Sequence, residues 1–256
     1  MSQSPRPMTT HRVAALYDIH ANLPALEAVL EDVRAADIDQ VLVGGDVLPG
    51  PMPRETLDLL FTLDLPVQFI YGNGEVAVLE SLAGRDLSET PSAYQPTIHW
   101  TAEQVRQRRY TIARWPLMTQ FDVDGLGRVL FCHATPRHDN ECFTRLTPEE
   151  RLLPIFEGLG VNVVVCGHTH MPFDRMVGAT RVVNAGSVGT PFGEPGADWV
   201  LLGPDVEFRH TEYDLEQAAR RIRQAGMPWP EDFAARYVLE PPSAAQMLDV
   251  FTRASL

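Results

Sequence analysis

Seven residues with oxygen or imidazole side chains stand directly after predicted strands, and together they could bind metal ions. They come from five separate segments of the chain: Asp18 and His20, Asp46, Asn73, His133, and His168 and His170. Because the loops at the carboxyl ends of strands in α/β sheets converge on one crevice, we expect these side chains to meet there. A mixed set of imidazole and oxygen donors suits Mn, Fe, Zn, Ni or Co, and gives no reason to expect copper or an iron–sulfur cluster.

The spacing within two of these segments strengthens the prediction. Asp18 and His20 are alternate residues leaving a strand, so both can face one ion. His168 and His170 repeat this arrangement behind Gly167, which permits a tight turn. A lone histidine is more often a structural or surface residue than a ligand. We therefore expect no metal role for the four histidines without such placement, which are His11, His99, His138 and His210.

Short apolar runs alternate with amphipathic stretches from Arg12 onward, as in a buried sheet flanked by helices. The predicted strands cover residues 13–17, 40–43, 67–70, 121–123, 128–132, 161–166, 181–183, 199–202 and 206–209. Asp124-Gly125 predicts a hairpin turn between two of them. The predicted helices cover residues 23–33, 53–63 and 148–158. This pattern predicts an α/β fold with the polar residues at one edge of the sheet.

We expect one main domain with additions at its ends. Residues 1–11 form a frayed N-terminus, 12–210 the domain, 75–115 a mainly helical cover within it, and 211–256 a C-terminal helical appendage packed on the same domain. The appendage carries no recognisable chemistry, so we expect it to serve packing or a dimer surface. The N-terminal stretch lacks the apolar core of a signal peptide, and no apolar run is long enough to span a membrane.

The composition of the 256-residue chain excludes several functions. All 21 basic residues are arginine, so Schiff-base chemistry, pyridoxal enzymes and a Walker phosphate loop are excluded. The net charge of −13 argues against a stable nucleic-acid complex and against binding to anionic membranes. Three irregularly spaced cysteines do not form a disulfide framework, which favours a cytoplasmic location. A homodimer is the base-rate expectation for a soluble homo-oligomer.

The ordered motifs resemble the signature of the calcineurin-like metallophosphoesterases over roughly residues 13–193. They are Asp18-Ile19-His20-Ala21-Asn22, Gly45-Asp46, Gly72-Asn73-Gly74-Glu75, His133 and Gly167-His168-Thr169-His170. The segment Asn184-Ala185-Gly186-Ser187-Val188-Gly189 is similar to the small prokaryotic phosphodiesterase branch of this superfamily. The resemblance implies an α/β fold built as a four-layer αββα sandwich, with two mixed β-sheets flanked by helices.

The resemblance also implies a ligand set and an activity. One metal ion is held by Asp18, His20 and His170, the other by Asn73, His133 and His168, and Asp46 bridges both. Mn or Fe is favoured. The implied reaction is hydrolysis of a small or nucleotide-like phosphate ester through in-line attack by a metal-bridging hydroxide, with Asp46, Asn73 and His133 as catalytic residues.

The sequence departs from the family pattern at three positions. Many members carry a histidine after the loop asparagine, where it contacts phosphate or protonates the leaving group, but this chain has Gly74. Without that acid we expect phosphodiesters, or esters with good leaving groups, to be hydrolysed better than simple alkyl monoesters. The other departures are Tyr17, where serine is common, and Ala21, where glycine is common and the larger side chain narrows the approach to the metals.

Four residues are candidates for substrate binding: Asn22, Gly74, Arg137 and Ser187. Asn22 resembles the family's loop asparagine, but a role as helix-start residue explains it equally well. Arg137 could bind a phosphate through two hydrogen bonds, although an exposed arginine is usually only a solvated charge. Ser187 and the neighbouring Gly186 lie in a loop of small residues that could bring backbone N–H groups near the site.

Two other functions compete with that of a phosphoesterase. A non-catalytic binding or scaffold protein on the same fold is exemplified by the retromer subunit that resembles this family. Loss of one or two metal residues would favour a scaffold, whereas all seven are present here. A zinc hydrolase of the metallo-β-lactamase kind would need a His-x-His-x-Asp-His run, which the sequence lacks.

Overall fold

Two mixed five-stranded sheets form the centre of the computed structural model, which describes residues 11–88 and 90–254. Most of the N-terminal stretch 1–11, predicted to be frayed, lies outside the described residues. In spatial order the strands of the first sheet are β10 (Val206–Thr211), β9 (Ala197–Leu202), β1 (Val13–Leu16), β2 (Gln40–Gly44) and β3 (Val67–Ile70). β1, β2 and β3 are parallel, and β9 and β10 extend the sheet in antiparallel fashion.

The second sheet has the same mixed character. In spatial order its strands are β4 (Met118–Val123), β5 (Gly127–Cys132), β6 (Val163–Cys166), β8 (Thr180–Asn184) and β7 (Phe173–Val177). β5, β6 and β8 are parallel, while β4 and β7 form antiparallel edges. β7 was not predicted from the sequence. The parallel strands of the two sheets supply every loop that carries a predicted metal ligand.

Nine α-helices lie in the described residues: α1 (Leu23–Ala35), α2 (Pro53–Phe61), α3 (Asn73–Leu82), α4 (Gln95–Val105), α5 (Arg109–Ile112), α6 (Glu149–Phe156), α7 (Leu215–Arg223), α8 (Pro230–Phe233) and α9 (Ala244–Ala254). A 3-10 turn (Arg106–Arg108) precedes α5, and a π-helical stretch (Ala234–Leu239) follows α8. The helices α4 and α5, and α3 from Glu75 onward, fall within the predicted cover at 75–115. None of the helices described here is long and apolar enough to cross a membrane.

Side-chain alternation along β1 shows why the two sheets stack. Ala14 and Leu16 face an apolar core shared with α1 to α4, whereas Val13 and Ala15 face a second core between the sheets. A third core lies beyond the second sheet, beneath α6. The order of layers is therefore helix, sheet, sheet, helix, which confirms the predicted four-layer sandwich.

Tyr17 joins the two sheets directly beneath the predicted metal site. Its side chain is fully buried, and its hydroxyl donates to the carbonyl of Val165 at 2.9 Å. A Cβ on Gly44 would lie 2.1 Å from the Tyr17 ring, and one on Gly167 would lie 2.7 Å from it. The tyrosine is thus accommodated because glycines stand on both sides of its ring.

The C-terminal segment packs against two parts of the domain. The guanidinium of Arg221 on α7 forms an ion pair with Glu27 on α1. Leu248 and Phe251 of α9 pack around Phe192, whose ring stacks on that of His170 with centroids 5.2 Å apart. The segment that was expected to serve only packing or dimerisation therefore contacts the loop of a predicted metal ligand.

Candidate metal centre

The seven predicted ligands come from both sheets and gather at one end of the sandwich. Three segments follow β1, β2 and β3 of the first sheet and carry Asp18 and His20, Asp46, and Asn73. Two segments follow β5 and β6 of the second sheet and carry His133, and His168 and His170. The parallel direction of these strands puts their carboxyl ends on the same side, as the sequence predicted.

Asp18, His20 and His170 form one cluster. Their ligand atoms all lie within 4.8 Å of one another. The Nε2 atoms of His20 and His170 are 3.3 Å apart, and the Nε2 of His170 is 3.3 Å from Asp18 Oδ1. Ligand atoms bound to one metal at about 2.1 Å stand about 3.0–3.4 Å apart, so this spacing fits the ligands of a single ion.

Asp46, Asn73 and His133 form a second cluster beside the first. The Nε2 of His133 lies 3.2 Å from Asn73 Oδ1 and 3.5 Å from Asp46 Oδ1. The other carboxylate oxygen, Asp46 Oδ2, lies 3.8 Å from the Nε2 of His20 in the first cluster. Asp46 therefore presents one oxygen to each cluster, as a bridging ligand would. His168 belongs to neither group of mutually close carboxylate and imidazole atoms among the described residues, and its ring packs edge-on to that of His133 with centroids 5.2 Å apart.

Backbone carbonyls determine which nitrogen of three histidines is free to bind a metal. Each Nδ1 faces a carbonyl oxygen: His20 faces Pro49 at 3.3 Å, His133 faces Gly44 at 3.0 Å and His170 faces Thr190 at 2.9 Å. Since a carbonyl can only accept a hydrogen bond, each Nδ1 carries the proton and each Nε2 presents a lone pair. These lone pairs all point into the site.

An arrangement of this kind favours a bound cation. Two lone pairs 3.3 Å apart, on His20 and His170, repel each other unless a positive charge lies between them. Within the part of the chain that the structure describes, Asp18 Oδ1 is buried and has no hydrogen-bond partner. Buried unsatisfied acceptors are rare because they lose their hydration. The donor set therefore fits bound metal ions.

The pKa directions agree with a site built for positive charge. Burial alone would raise the pKa of Asp18, but His170 and His133 lower it well below its usual value. Burial lowers the pKa of His133, but Asp46 and Asp18 together raise it by a larger amount, so the net shift is upward. Burial and the neighbouring His133 lower the pKa of His168 to about 3, so its ring is neutral and able to act as a ligand.

Five of the proposed ligands adopt left-handed backbone conformations that non-glycine residues avoid. Their φ angles are 52° at Asp18, 46° at His20, 50° at Asp46, 67° at His168 and 56° at His170. Each such residue costs on the order of 1 kcal/mol or more, and such strain concentrates at functional sites. Hydrogen bonds between the loops hold this backbone, including His20 N to Asp46 O at 2.9 Å and His168 N to Asp18 Oδ2 at 2.8 Å.

Glu75 is a buried carboxylate whose role was not predicted from the sequence. Its oxygens accept backbone N–H groups from Gly72, Asp46 and Leu48 at 2.8–2.9 Å. Burial and the Asp46 carboxylate raise its pKa to about 8. The signal for this role was present, because Glu75 stands three residues after Gly72, the N-cap of α3, in a capping-box position. Glu75 thus fixes the loop that carries the bridging aspartate.

Gly74 orients the same aspartate from the other side. Its backbone N–H donates to Asp46 Oδ1 at 2.7 Å. A Cβ at this position would lie only 2.0 Å from the carbonyl oxygen of Leu48 and 2.9 Å from Asp46 Oδ1. The loops as folded leave no room for a side chain at residue 74, including the histidine common in the family.

The other substrate-binding candidates make contacts within the protein. Asn22 is fully buried, donates to the carbonyl of Gly189 at 2.8 Å and caps α1, which is the geometry of a helix-start residue. Ser187 is buried and donates to the carbonyl of Asp18 at 2.8 Å. The side chain of Arg137 is half exposed and pairs with Glu141 at 2.6 Å. Arg137 therefore has the only exposed cationic group among these candidates.

Comparisons with known proteins identify the family. Residues 12–204 match the calcineurin-like phosphoesterase superfamily domain. An uncharacterized protein of Methanocaldococcus jannaschii is 27% identical over 248 residues, which cover 86% of this chain and 96% of the relative. The crystal structure of a metallophosphoesterase from Sphaerobacter thermophilus is 26% identical, with a TM-score of 0.69 over 90% of this chain and 98% of that one. A hypothetical protein of Pyrococcus horikoshii shares the fold at 22% identity, with a TM-score of 0.76 over 91% of this chain and 99% of the other. Since the domain match covers most of its length, this chain belongs to the calcineurin-like phosphoesterase superfamily.

Proposed function

We propose that this protein is a dinuclear metal-dependent hydrolase of small or nucleotide-like phosphate esters, with a preference for phosphodiesters. The observation that carries the proposal is the convergence of three imidazole lone pairs and two carboxylates. In each of the three imidazoles, the nitrogen that bears the proton faces a backbone carbonyl. Asp18, His20 and His170 would hold one ion, Asn73, His133 and His168 would hold the other, and Asp46 would be shared between them. When bound, two such ions neutralise phosphate oxygens and make a water molecule acidic enough to ionise near neutral pH.

The protein's own residues hold this centre rigid. Three backbone N–H groups fix Glu75, which in turn fixes the Asp46 loop, and the Gly74 amide orients the Asp46 carboxylate. Three carbonyls hold the histidine rings in one orientation. Preorganised ligands and dipoles need no rearrangement during the reaction, which is how such sites contribute to catalysis. For the ions, we expect a member of the Mn, Fe, Zn, Ni and Co group, with Mn or Fe favoured by the family.

The preference for diesters follows from the absence of a histidine that could act as the acid for the leaving group. The four remaining histidines are engaged elsewhere: His99 contacts Ser81, His210 contacts Asp198, His11 contacts Asp124 and His138 contacts Asp139. None of them makes a hydrogen bond or ion pair with a proposed ligand among the described residues. General acid catalysis contributes about 10²–10⁴-fold for poor leaving groups. A site without a general acid loses the most rate on alkyl phosphate monoesters, because their leaving groups are poor.

Metal analysis and one substitution test the dinuclear centre. Protein purified without chelator is expected to contain close to two transition-metal ions per chain. Asp46→Asn is expected to abolish turnover of bis-p-nitrophenyl phosphate with little change in thermal unfolding. Asp174→Asn is the matched control, since Asp174 pairs with Arg181 at the surface. A folded protein that holds no metal and stays inactive after Mn²⁺ addition would support the scaffold function instead.

The substrate preference needs a separate assay. We expect bis-p-nitrophenyl phosphate to be hydrolysed faster than a simple alkyl phosphate monoester at equal concentration. Faster turnover of the monoester would contradict the proposed consequence of Gly74 while leaving the metal centre intact. Cyclic nucleotides, dinucleoside polyphosphates and generic diesters then form the panel from which the natural substrate class is identified.

A further inference from the structure

The ring of His168 is held differently from the rings of the other three proposed histidine ligands. Its Nε2 atom, rather than Nδ1, faces a protein group, and that group is the thiol of Cys142 at 3.3 Å. This is the only side-chain hydrogen bond of the His168 ring among the described residues. His20, His133 and His170 each direct Nδ1 to a backbone carbonyl instead.

The difference decides which nitrogen of His168 can bind a metal. A neutral imidazole has one protonated nitrogen and one lone pair, and the partner of the first determines the direction of the second. If Nε2–H donates to the Cys142 sulfur, Nδ1 is left with its lone pair free. If the thiol donated to Nε2 instead, Nδ1 would carry the proton and could not coordinate. Only the first arrangement is compatible with His168 as a ligand.

We propose that Cys142 is a positioning residue of the metal centre. Its sulfur accepts the Nε2–H of His168 and so directs the Nδ1 lone pair toward the ion that is also bound by Asn73 and His133. Cys142 does for this ring what the carbonyls of Gly44, Pro49 and Thr190 do for the others. The inference rests on the dinuclear site of the proposed function, to which it adds a residue outside the seven-ligand set.

The residues on either side of Cys142 hold the sulfur in place. Glu141 accepts a hydrogen bond from Thr135 at 2.6 Å and pairs with Arg137. Phe143 is buried and packs edge-on to Phe156 of α6, with centroids 5.4 Å apart. Cys142 therefore lies between two anchored residues, whereas a freely moving thiol could not impose an orientation on His168.

Zinc titration by calorimetry, starting from chelator-treated protein, tests the proposal on the intact chain. Wild type is expected to bind two zinc ions. Cys142→Val removes the acceptor and is expected to weaken one binding event by about 10–100-fold, as loss of an outer-shell partner does, and to leave the other within a few-fold. Cys142→Ser retains an acceptor atom, although its bond to Cβ is shorter by a few tenths of an ångström. We therefore expect this variant to lose less zinc affinity than Cys142→Val.

The outcomes separate this inference from the proposed function. Unchanged affinities in Cys142→Val, or equal weakening of both events, would overturn the role of Cys142 while two zinc ions in wild type still support the dinuclear centre. Failure of wild type to bind a second ion would overturn both. A valine variant with equal affinity to the serine variant would also count against the hydrogen bond.

A second measurement needs no variant. Nitrogen-15 histidine spectra of zinc-loaded wild type report which ring nitrogen carries the proton and which binds zinc. Three zinc-bound histidines are expected with protonated Nδ1, and one with protonated Nε2. Four rings with protonated Nδ1 would refute the proposal whether or not any Cys142 variant folds.

Discussion

Gly74→His offers a sharp test, because the family pattern and the structure predict opposite results. A histidine at this position is common in the family, so restoring it could be expected to raise monoester turnover. The structure instead predicts that any side chain here damages the site, since its Cβ would meet the Leu48 carbonyl at 2.0 Å. We expect Gly74→His and Gly74→Ala both to lose activity on monoesters and diesters alike.

The size of the loss follows from the geometry. An ordinary contact needs at least 3.4 Å, so the Leu48 carbonyl or α3 must move by roughly 1.4 Å. The loop cannot move freely, because Glu75 binds the N–H groups of both Asp46 and Leu48. Misplacement of reacting groups by about 1 Å costs about 10²-fold in rate, and overpacking costs about 1–3 kcal/mol of stability. For a chain of this size, 1 kcal/mol corresponds to about 2–4 °C in melting temperature.

The assay is kcat on bis-p-nitrophenyl phosphate with saturating Mn²⁺, alongside thermal unfolding of the same samples. Gly84→Ala is the matched control, since Gly84 is exposed and a Cβ there has no neighbour within 4 Å. Its φ of +67° gives that variant a backbone penalty of about 1–2 kcal/mol without any steric contact. We expect the control to keep wild-type kcat. If Gly74→Ala also keeps it, or if Gly74→His gains monoester turnover, the steric reasoning is refuted.

Three further predictions concern residues outside the metal ligands. Arg137→Gln is expected to raise KM for the diester about tenfold or more at unchanged kcat, as loss of a charge-assisted phosphate contact would; an unchanged KM would mean that Arg137 serves only Glu141. Asn22→Ala is expected to lower the free energy of unfolding in urea by about 1–2 kcal/mol through loss of the α1 cap, and a stable but inactive variant would favour phosphate binding instead. Burial lowers the pKa of His210 and Asp198 raises it, and the net shift is upward. The folded protein therefore binds the His210 proton more tightly than the unfolded chain does. The ion pair with Asp198 stabilises the protein most below about pH 6.5, where His210 is protonated in both states. His210→Gln is therefore expected to lower stability by up to about 1 kcal/mol more at pH 6 than at pH 9, and equal losses at both would contradict the linkage.

The convergence of the proposed ligands was predictable because it depends on local sequence and one topological rule. Asp18 and Asp46 follow strands that are apolar and continuous, and such strands are easily recognised. The strand β7 escaped prediction because it is a short edge strand in which Asp174 and Met176 are exposed and only Phe173 and Val177 are buried. An edge strand lacks the continuous apolar pattern of a strand buried on both faces.

The contacts that support the proposed ligands across separate loops could not be read from local patterns in the same way, although the capping-box position of Glu75 was a local signal for its bond to Gly72. The carboxylate of Glu75 binds N–H groups that lie up to 29 positions away in the sequence, and Cys142 meets His168 across 26 positions. Phe192 stacks on His170 only because α9 packs behind it. These contacts depend on how separate loops meet after the sheets have stacked, and one sequence carries no direct signal for that.

The net charge of the chain and the charge at the proposed metal site differ in sign. Acidic residues exceed arginines by 13, so the protein as a whole repels a phosphate ester. Two divalent ions would bring about +4 against the two ligand carboxylates, Asp18 and Asp46, and make the site locally positive. Arg137 has an exposed side chain and is the arginine nearest in sequence to a proposed ligand. Its guanidinium already forms an ion pair with Glu141. In the proposed phosphoesterase, attraction of an anionic substrate would therefore depend chiefly on metal occupancy.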